Sequence, residues 1–323
     1  MTLYAYVKNL LGRSWRTFLA LARIMLPVMV IVYVGQRLGL VEMLGYAIAP
    51  AMALIDLPPG AGIVWATTLL TGLYGGIAAL SGFASNLELT VGQLSALCAM
   101  MLFAHALPIE QAIVRRAGAS FWLTTLLRIG VALAYGAGVA WACRLSGALS
   151  EPVSLEWLRG SSLVGESTGL WGWMQSTAFT LAITFMVIIV LLLLLDIFDR
   201  LGITRWITTA LTPLLRISGL DSRVATVTTV GVLLGLTYGG AVIIEEARKQ
   251  RFSARTCFLA LAWLSLSHSL IEDTLLMLAL GADIWIILVG RVLITLMIVA
   301  VIAYGWKVCE PSTTPPASSV ERL

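Results

Sequence analysis

Long apolar stretches separated by short polar ones organise this chain. They run roughly over residues 17–36, 61–82, 90–117, 120–142, 173–195, 222–244, 254–280 and 284–304. A helix needs about 20 apolar residues to cross the bilayer core, so the pattern predicts an all-α, polytopic membrane protein. Two shorter stretches, 41–54 and 204–217, contain Pro50 and Pro213 and are flanked by charges, which predicts helices lying in the interface. Two of the long stretches are interrupted centrally by Tyr74-Gly75-Gly76 and Tyr238-Gly239-Gly240. Glycine lets backbone turn sharply and approach a ligand, and irregular backbone at membrane depth is tolerated where protein or water covers it. The triplets read as hairpin tips, the alternative being close helix packing by small residues.

Shifting the chain by 163 residues aligns its two halves. Arg37-Leu38-Gly39 falls on Arg200-Leu201-Gly202, Pro50 on Pro213, and Gly72-Leu73 on Gly235-Leu236. His105 falls on His268, Glu110 on Asp273, Gly118 on Gly281, Trp122 on Trp285 and Arg128 on Arg291. The Tyr-Gly-Gly triplets meet after one inserted residue, Thr237. These matches lie in uncommon residues, including both histidines of the chain, so chance similarity of apolar segments does not explain them.

Charge placement bears on topology. If 61–82 and 222–244 are re-entrant hairpins, each half crosses three times and the second half is inverted. With the N-terminus inside, 15 of the 21 Lys and Arg are cytoplasmic, Arg37, Arg144 and Arg159 lie outside, and Arg23, Arg128 and Arg291 fall within spans. Full crossing by both segments changes the split to 11 inside and 7 outside. The positive-inside rule favours the first arrangement. The chain is thus expected to hold two inverted-topology repeats, each with three spans, an interfacial helix and a re-entrant or broken hairpin. A version with ten full spans also has odd parity and stays open.

The divisions are a cytoplasmic N-terminal segment 1–16, a first repeat 17–143, a periplasmic linker 144–172, a second repeat 173–306 and a cytoplasmic tail 307–323. The tail is rich in Pro, Ser and Thr and is expected to be disordered. Lys8, Arg13 and Arg16 precede the first apolar run and no small-residue cleavage site follows it, so that run reads as a retained span. A bacterial inner membrane with both termini in the cytoplasm is the expected location.

Composition narrows the functional classes. Hydrophobic residues make up 59%, charged residues 12%, and mean hydropathy is +0.94; ordinary globular chains carry about 25% charged residues. The net charge of +4 includes no basic cluster suited to nucleic acid. Cys98, Cys143 and Cys257 sit in apolar stretches without a CxxC pair and read as packing residues. The absence of a nucleophile–base pair and of an HExxH motif argues against an enzyme.

The candidate chemistry lies inside the apolar stretches. His105 and His268 fall near the middle of 90–117 and 254–280. An intramembrane ionisable residue is costly and by default marks function. A pair related by inverted repeats would lie near the midplane, where secondary transporters place substrate and coupling-ion sites. Glu110 follows the first histidine, with Pro108 between them; Glu272 and Asp273 follow the second. His268 and Glu272 are four apart, which puts both on one helical face. A break at Pro108 could bring Glu110 round. The plainer alternative gives each histidine an interhelical hydrogen bond and each acid a local cap or pair. Arg128 and Arg291 need partners when buried, and Glu110 and Asp273 are the natural ones; contact with an anionic substrate is the alternative. Glu245 and Glu246 have no first-half counterpart and serve either a coupling cation or a solvated loop.

Residues 24–80, and again 187–244, resemble the nucleoside-recognition or Gate domain: a span, a Leu-Gly turn, an interfacial helix ending near a proline, and a Gly-rich apolar hairpin. The stretches AHALPIEQAIVRRAGA and SHSLIEDTLLMLALGA resemble the module that follows it in stand-alone bacterial members. Such domains occur in concentrative nucleoside transporters, the ferrous iron transport protein B and spore maturation proteins A and B. The resemblance implies a hairpin-containing transport core. It leaves the substrate open, since no Walker A sequence is present and Tyr-Gly-Gly stands where polar nucleoside-contacting tips would be.

The expectation is a secondary transporter of a small polar or charged solute, with a proton or cation for coupling and no other cofactor. Its site would comprise His105, Glu110, His268, Glu272, Asp273, Tyr74, Gly75, Gly76, Tyr238, Gly239, Gly240, Arg128, Arg291 and Glu245. The alternatives are a divalent-metal permease, with His105 and His268 as ligands, and a non-transporting factor in envelope assembly or development. The expected partners are a small molecule or ion and the lipid bilayer; homo-oligomerisation is left open.

Overall fold

The computed structural model describes residues 3–83, 87–155, 169–202 and 253–309, with Leu158, Trp206, Thr209, Ala210, Pro213, Thr228, Thr229 and Val232 as single positions. The second hairpin with Tyr238, Gly239 and Gly240, Glu245, most of 204–217, and the tail after Cys309 lie outside these residues. The described residues are mostly helical and contain no strand, only an isolated bridge between Thr90 and Pro152.

The first half comprises α1 (Leu3–Arg37), α2 (Leu40–Leu54), α3 (Pro59–Thr71), α4 (Leu73–Phe83), α5 (Val91–Phe103), α6 (Leu107–Arg116) and α7 (Phe121–Ser146). The second comprises α8 (Leu170–Arg200), α9 (Ala254–Leu266), α10 (Glu272–Ala279) and a π-helical stretch, Trp285–Gly290, that runs into α11 (Arg291–Cys309). Four stretches among the described residues are long and apolar enough to cross a membrane: Val91–Arg116, Phe121–Ser146, Leu170–Leu194 and Trp285–Trp306.

The polar segment before residue 17 belongs to the same helix as the apolar run after it, because α1 starts at Leu3. Thirty-five residues at 1.5 Å each reach about 52 Å, well beyond a bilayer core of about 30 Å. The extension is fastened laterally. Arg13 pairs with Asp196 of α8 at 3.0 Å, and Tyr6 donates to the same carboxylate at 3.0 Å.

The glycine-rich stretch after Pro58 forms a helical hairpin, but it turns at Gly72 and not at Tyr74-Gly75-Gly76. Gly72 has φ 93°, open to glycine and strained for other residues. Gly75 and Gly76 lie inside α4 and face α3: a Cβ on either would stand 1.9 Å from the Oγ1 of Thr71 or Thr68. The triplet thus serves close packing within the hairpin. The two ends of the hairpin lie together, since a Cβ on Gly60 would stand 2.8 Å from Leu87.

α5 is buried on every face from Leu94 to Phe103, as is α9 from Leu259 to Leu266. Helices apolar all round belong at the centre of a bundle. α7, α8 and α11 lie outside and expose large apolar residues, among them Trp122, Leu126, Met186, Val190, Leu293 and Met297. Contiguous apolar surface of this kind suits lipid and not water. Trp122 and Trp285, at equivalent positions, are 72% and 71% exposed near the starts of their spans, where an aromatic belt would sit.

The 163-residue spacing reappears in the backbone. Left-handed residues recur at Gly39 and Gly202 (φ 68° and 73°), Ala106 and Ser269 (44° and 48°), and Gly118 and Gly281 (96° and 99°). The two central units, α5–α6 and α9–α10, run antiparallel. The backbone N–H of Asp283, just past α10, donates to Ser95 near the start of α5 at 2.8 Å. At the other end, Val114 and Ala117 close to the end of α6 pack with Phe258 and Leu259 near the start of α9.

Candidate functional site

Neither histidine lies within a continuous helix. α5 stops at Phe103, Ala104 is extended (φ −138°, ψ 101°), Ala106 is left-handed, and α6 starts at Leu107 with Pro108 in its first turn. Proline has no N–H to continue a helix and fits a first turn well. In the second half Ser267 leaves the helical conformation (φ −142°, ψ 76°), Ser269 is left-handed, and α10 starts at Glu272. A left-handed residue other than glycine costs about 1–2 kcal/mol. Strain held at matching points of both halves directs attention to those points. His268 stands in this break while Glu272 opens the next helix, so the two do not share one helical face.

A broken helix leaves its last carbonyls without partners. Arg128 Nε donates to the carbonyl of Phe103 at 2.8 Å, and Arg291 Nε donates to that of Leu266 at 3.1 Å. Each arginine therefore closes the C-terminus of the central helix in its own half, where a positive charge also suits the helix dipole. Arg291 reaches further. One terminal nitrogen donates to the carbonyls of Leu102, in the other half, at 3.1 Å and of His268 at 3.2 Å. The histidines close the same ends: His105 Nδ1 donates to the Met101 carbonyl at 2.9 Å, and His268 Nδ1 to that of Leu264 at 2.7 Å.

These bonds aim both Nε2 atoms at one point. They stand 3.0 Å apart, and Glu110 Oε1 lies 3.1 Å from each. The other oxygen of Glu110 accepts from Arg128 in a short, buried ion pair. The whole group is inaccessible: His105, His268 and Glu110 are at most 8% exposed and both arginines 0%. Asp273 is 9% exposed, and its Oδ2 has no hydrogen-bond partner among the described residues. One ligand atom each from His105, His268 and Asp273 lie within 4.8 Å of one another, so these residues could hold a metal.

The fold thus brings together His105, Glu110, His268, Asp273, Arg128 and Arg291 from both halves. Arg291 makes no ion pair with Asp273 among the described contacts; its bonds go to carbonyls instead. Glu272 is half-buried, and the buried hydroxyl of Tyr74 has no hydrogen-bond partner among the described residues. Gly75 and Gly76 are packing residues of α3 and α4. Two buried polar residues escaped the sequence reading. Gln111 accepts from Thr124 at 2.6 Å, and its Nε2 has no partner among the described residues; Thr274, its equivalent at the 163 spacing, has an unpartnered hydroxyl. The signal available was a polar residue following the acid in both halves.

No family model and no solved structure matches this chain. The chain is 27% identical over 319 residues to the uncharacterized membrane protein YvoD of Bacillus subtilis (strain 168), across 94% of this chain and 95% of that protein. Full-length similarity to a membrane protein, together with several long apolar helices, makes this a helical membrane protein.

Proposed function

We propose that this protein is a secondary transporter that carries a small polar or charged solute with the help of one exchangeable cation bound between α5–α6 and α9–α10. One observation carries this reading: two antiparallel broken helices meet at their breaks, with His105 and His268 Nε2 atoms 3.0 Å apart beside Glu110. Transporters use discontinuous helices in this way, because freed backbone groups and buried charges can then face a ligand at membrane depth. Buried ionisable groups are costly there unless they act. The Lys and Arg distribution supports an inner-membrane placement with both termini in the cytoplasm and the halves inverted. The shared end of the α3–α4 hairpin supports a re-entrant segment, in keeping with the Gate-domain resemblance.

The test begins with thermal stability of the purified protein against nucleosides, organic anions and divalent metal salts, since a ligand stabilises the state it binds. The stabilising class is then offered to proteoliposomes. Uptake that depends on a cation gradient and falls to background in His268→Gln supports the reading. No stabilising class and no uptake from any of them would refute it.

A further inference from the structure

The tautomers of the two histidines follow from their partners. A backbone carbonyl only accepts, so each Nδ1 carries a proton and each neutral ring presents a lone pair at Nε2. These lone pairs point at each other across 3.0 Å, and the carboxylate oxygen of Glu110 lies 3.1 Å from both. Three acceptors at the corners of one small buried triangle repel one another unless a cation lies among them. Asp273 supplies a fourth acceptor, buried and with Oδ2 unpartnered among the described residues.

We propose that His105, His268, Glu110 and Asp273 bind one divalent transition-metal ion in a tetrahedral set of two nitrogens and two oxygens. This rests on the transport reading above and names its cation. Imidazole nitrogen suits zinc and its neighbours, whereas magnesium and calcium take oxygen ligands. An Nδ1–H held by a backbone carbonyl, with Nε2 left free, is the usual support of a metal-binding histidine. Metal–ligand bonds of about 2.0–2.2 Å place tetrahedral ligand atoms about 3.3–3.6 Å apart, so the triangle needs to open by only a few tenths of an ångström. Glu110 would bind through Oε1 while Arg128 keeps the other oxygen. Arg128 and Arg291, the cations that face the site, offset the two carboxylates and moderate the affinity. An ion that must leave as well as enter requires that moderation.

The experiment uses untagged, full-length protein, stripped with chelator and loaded with Zn2+ or Co2+. We expect one ion per chain and the visible absorption of tetrahedral Co2+, with X-ray absorption showing two imidazoles around zinc. The chain contains only two histidines, so two imidazoles identify both. His105→Gln, His268→Gln and Asp273→Asn should each weaken binding by about 10–100-fold or more, and excess Mg2+ should not displace the ion. No bound ion, a first shell without imidazole, or binding unchanged in all three variants would overturn the site. Retained uptake of an organic solute without metal binding overturns the metal and leaves the transport reading standing. Metal binding with no flux of any tested solute or ion does the reverse.

Discussion

The two helix breaks share a backbone but not an electrostatic arrangement. Ala106 and Ser269 adopt the same left-handed conformation, and Arg128 and Arg291 close equivalent carbonyls at Phe103 and Leu266. In the first half the terminal nitrogen of Arg128 goes on to Glu110. In the second, Arg291 turns across the interface to Leu102 and back to His268, and Asp273 keeps an unpartnered oxygen. A symmetric scaffold therefore holds one anchored acid and one free acid. Arg128 fixes one oxygen of Glu110 and leaves the other facing the histidines, whereas no arginine holds Asp273 among the described contacts.

The largest effects should fall on the anchored side. Arg128→Met strands the Glu110 carboxylate in the interior, and breaking a buried pair in this way costs about 3–5 kcal/mol. Arg291→Met leaves carbonyls short of donors but strands no ion pair, so about 1–3 kcal/mol is expected. Equilibrium unfolding in mixed micelles measures both, and a larger loss for Arg291→Met would break the comparison. The acids sharpen it. Glu110→Gln should lose several kcal/mol, because the charge of Arg128 is then unpaired. Asp273→Asn should change stability by less than about 1 kcal/mol, since a neutral amide replaces a buried group without a protein partner. Equal losses for the two acids would mean that the second half holds a pair that the geometry does not contain.

The hairpin should respond next. Gly76→Ala drives a Cβ into Thr68 and Met101 and should cost about 1–3 kcal/mol by overpacking. Gly118→Ala meets no neighbour within 4 Å but keeps φ at 96°, so its cost of about 1 kcal/mol is backbone strain alone. Thermal melting of the two variants separates packing from strain. A Gly76→Ala protein as stable as the parent would return Gly75-Gly76 to the role of a turn.

Much of this was legible because it lay in uncommon residues. Histidine, arginine and acid positions recur at one spacing, and buried charges must find one another, so the sequence itself pointed to the cluster. The first break announced itself through Pro108. The second did not: Ser267-His268-Ser269 contains no breaker, and a few polar residues within an apolar run still read as helix. The turn at Gly72 was hidden among three glycines within five positions, and only Thr68 and Thr71 opposite Gly76 and Gly75 decide which one bends. The idle oxygen of Asp273 was out of reach for a similar reason. It depends on a carbonyl of Leu102, 189 residues from Arg291 along the chain, drawing that arginine away. Pairing by repeat position assumes that each half is self-contained, and the interface violates this assumption.

The smallest test concerns how the central helices begin. Thr90 and Ser253 occupy equivalent N-cap positions, and each side chain accepts a bond from the backbone N–H three residues on, at Gln93 and Thr256. Only the first is reciprocal. The Gln93 side chain accepts from the N–H of Thr90 at 3.2 Å and donates to the Asp56 carbonyl at 2.9 Å, tying α5 to the turn between α2 and α3. Replacing either cap with Ala should cost about 1 kcal/mol. Thr90→Ala should be the costlier of the two, because the reciprocal bond and the tether both depend on the cap holding Gln93 in place. Hydrogen exchange provides the local measure. Protection at the first turn of α5 should fall in Thr90→Ala, with an echo at residues 55–57, while Ser253→Ala should loosen only the first turn of α9. Equal and purely local losses would show that the first half is no better anchored than the second. The asymmetry would then be confined to the acids.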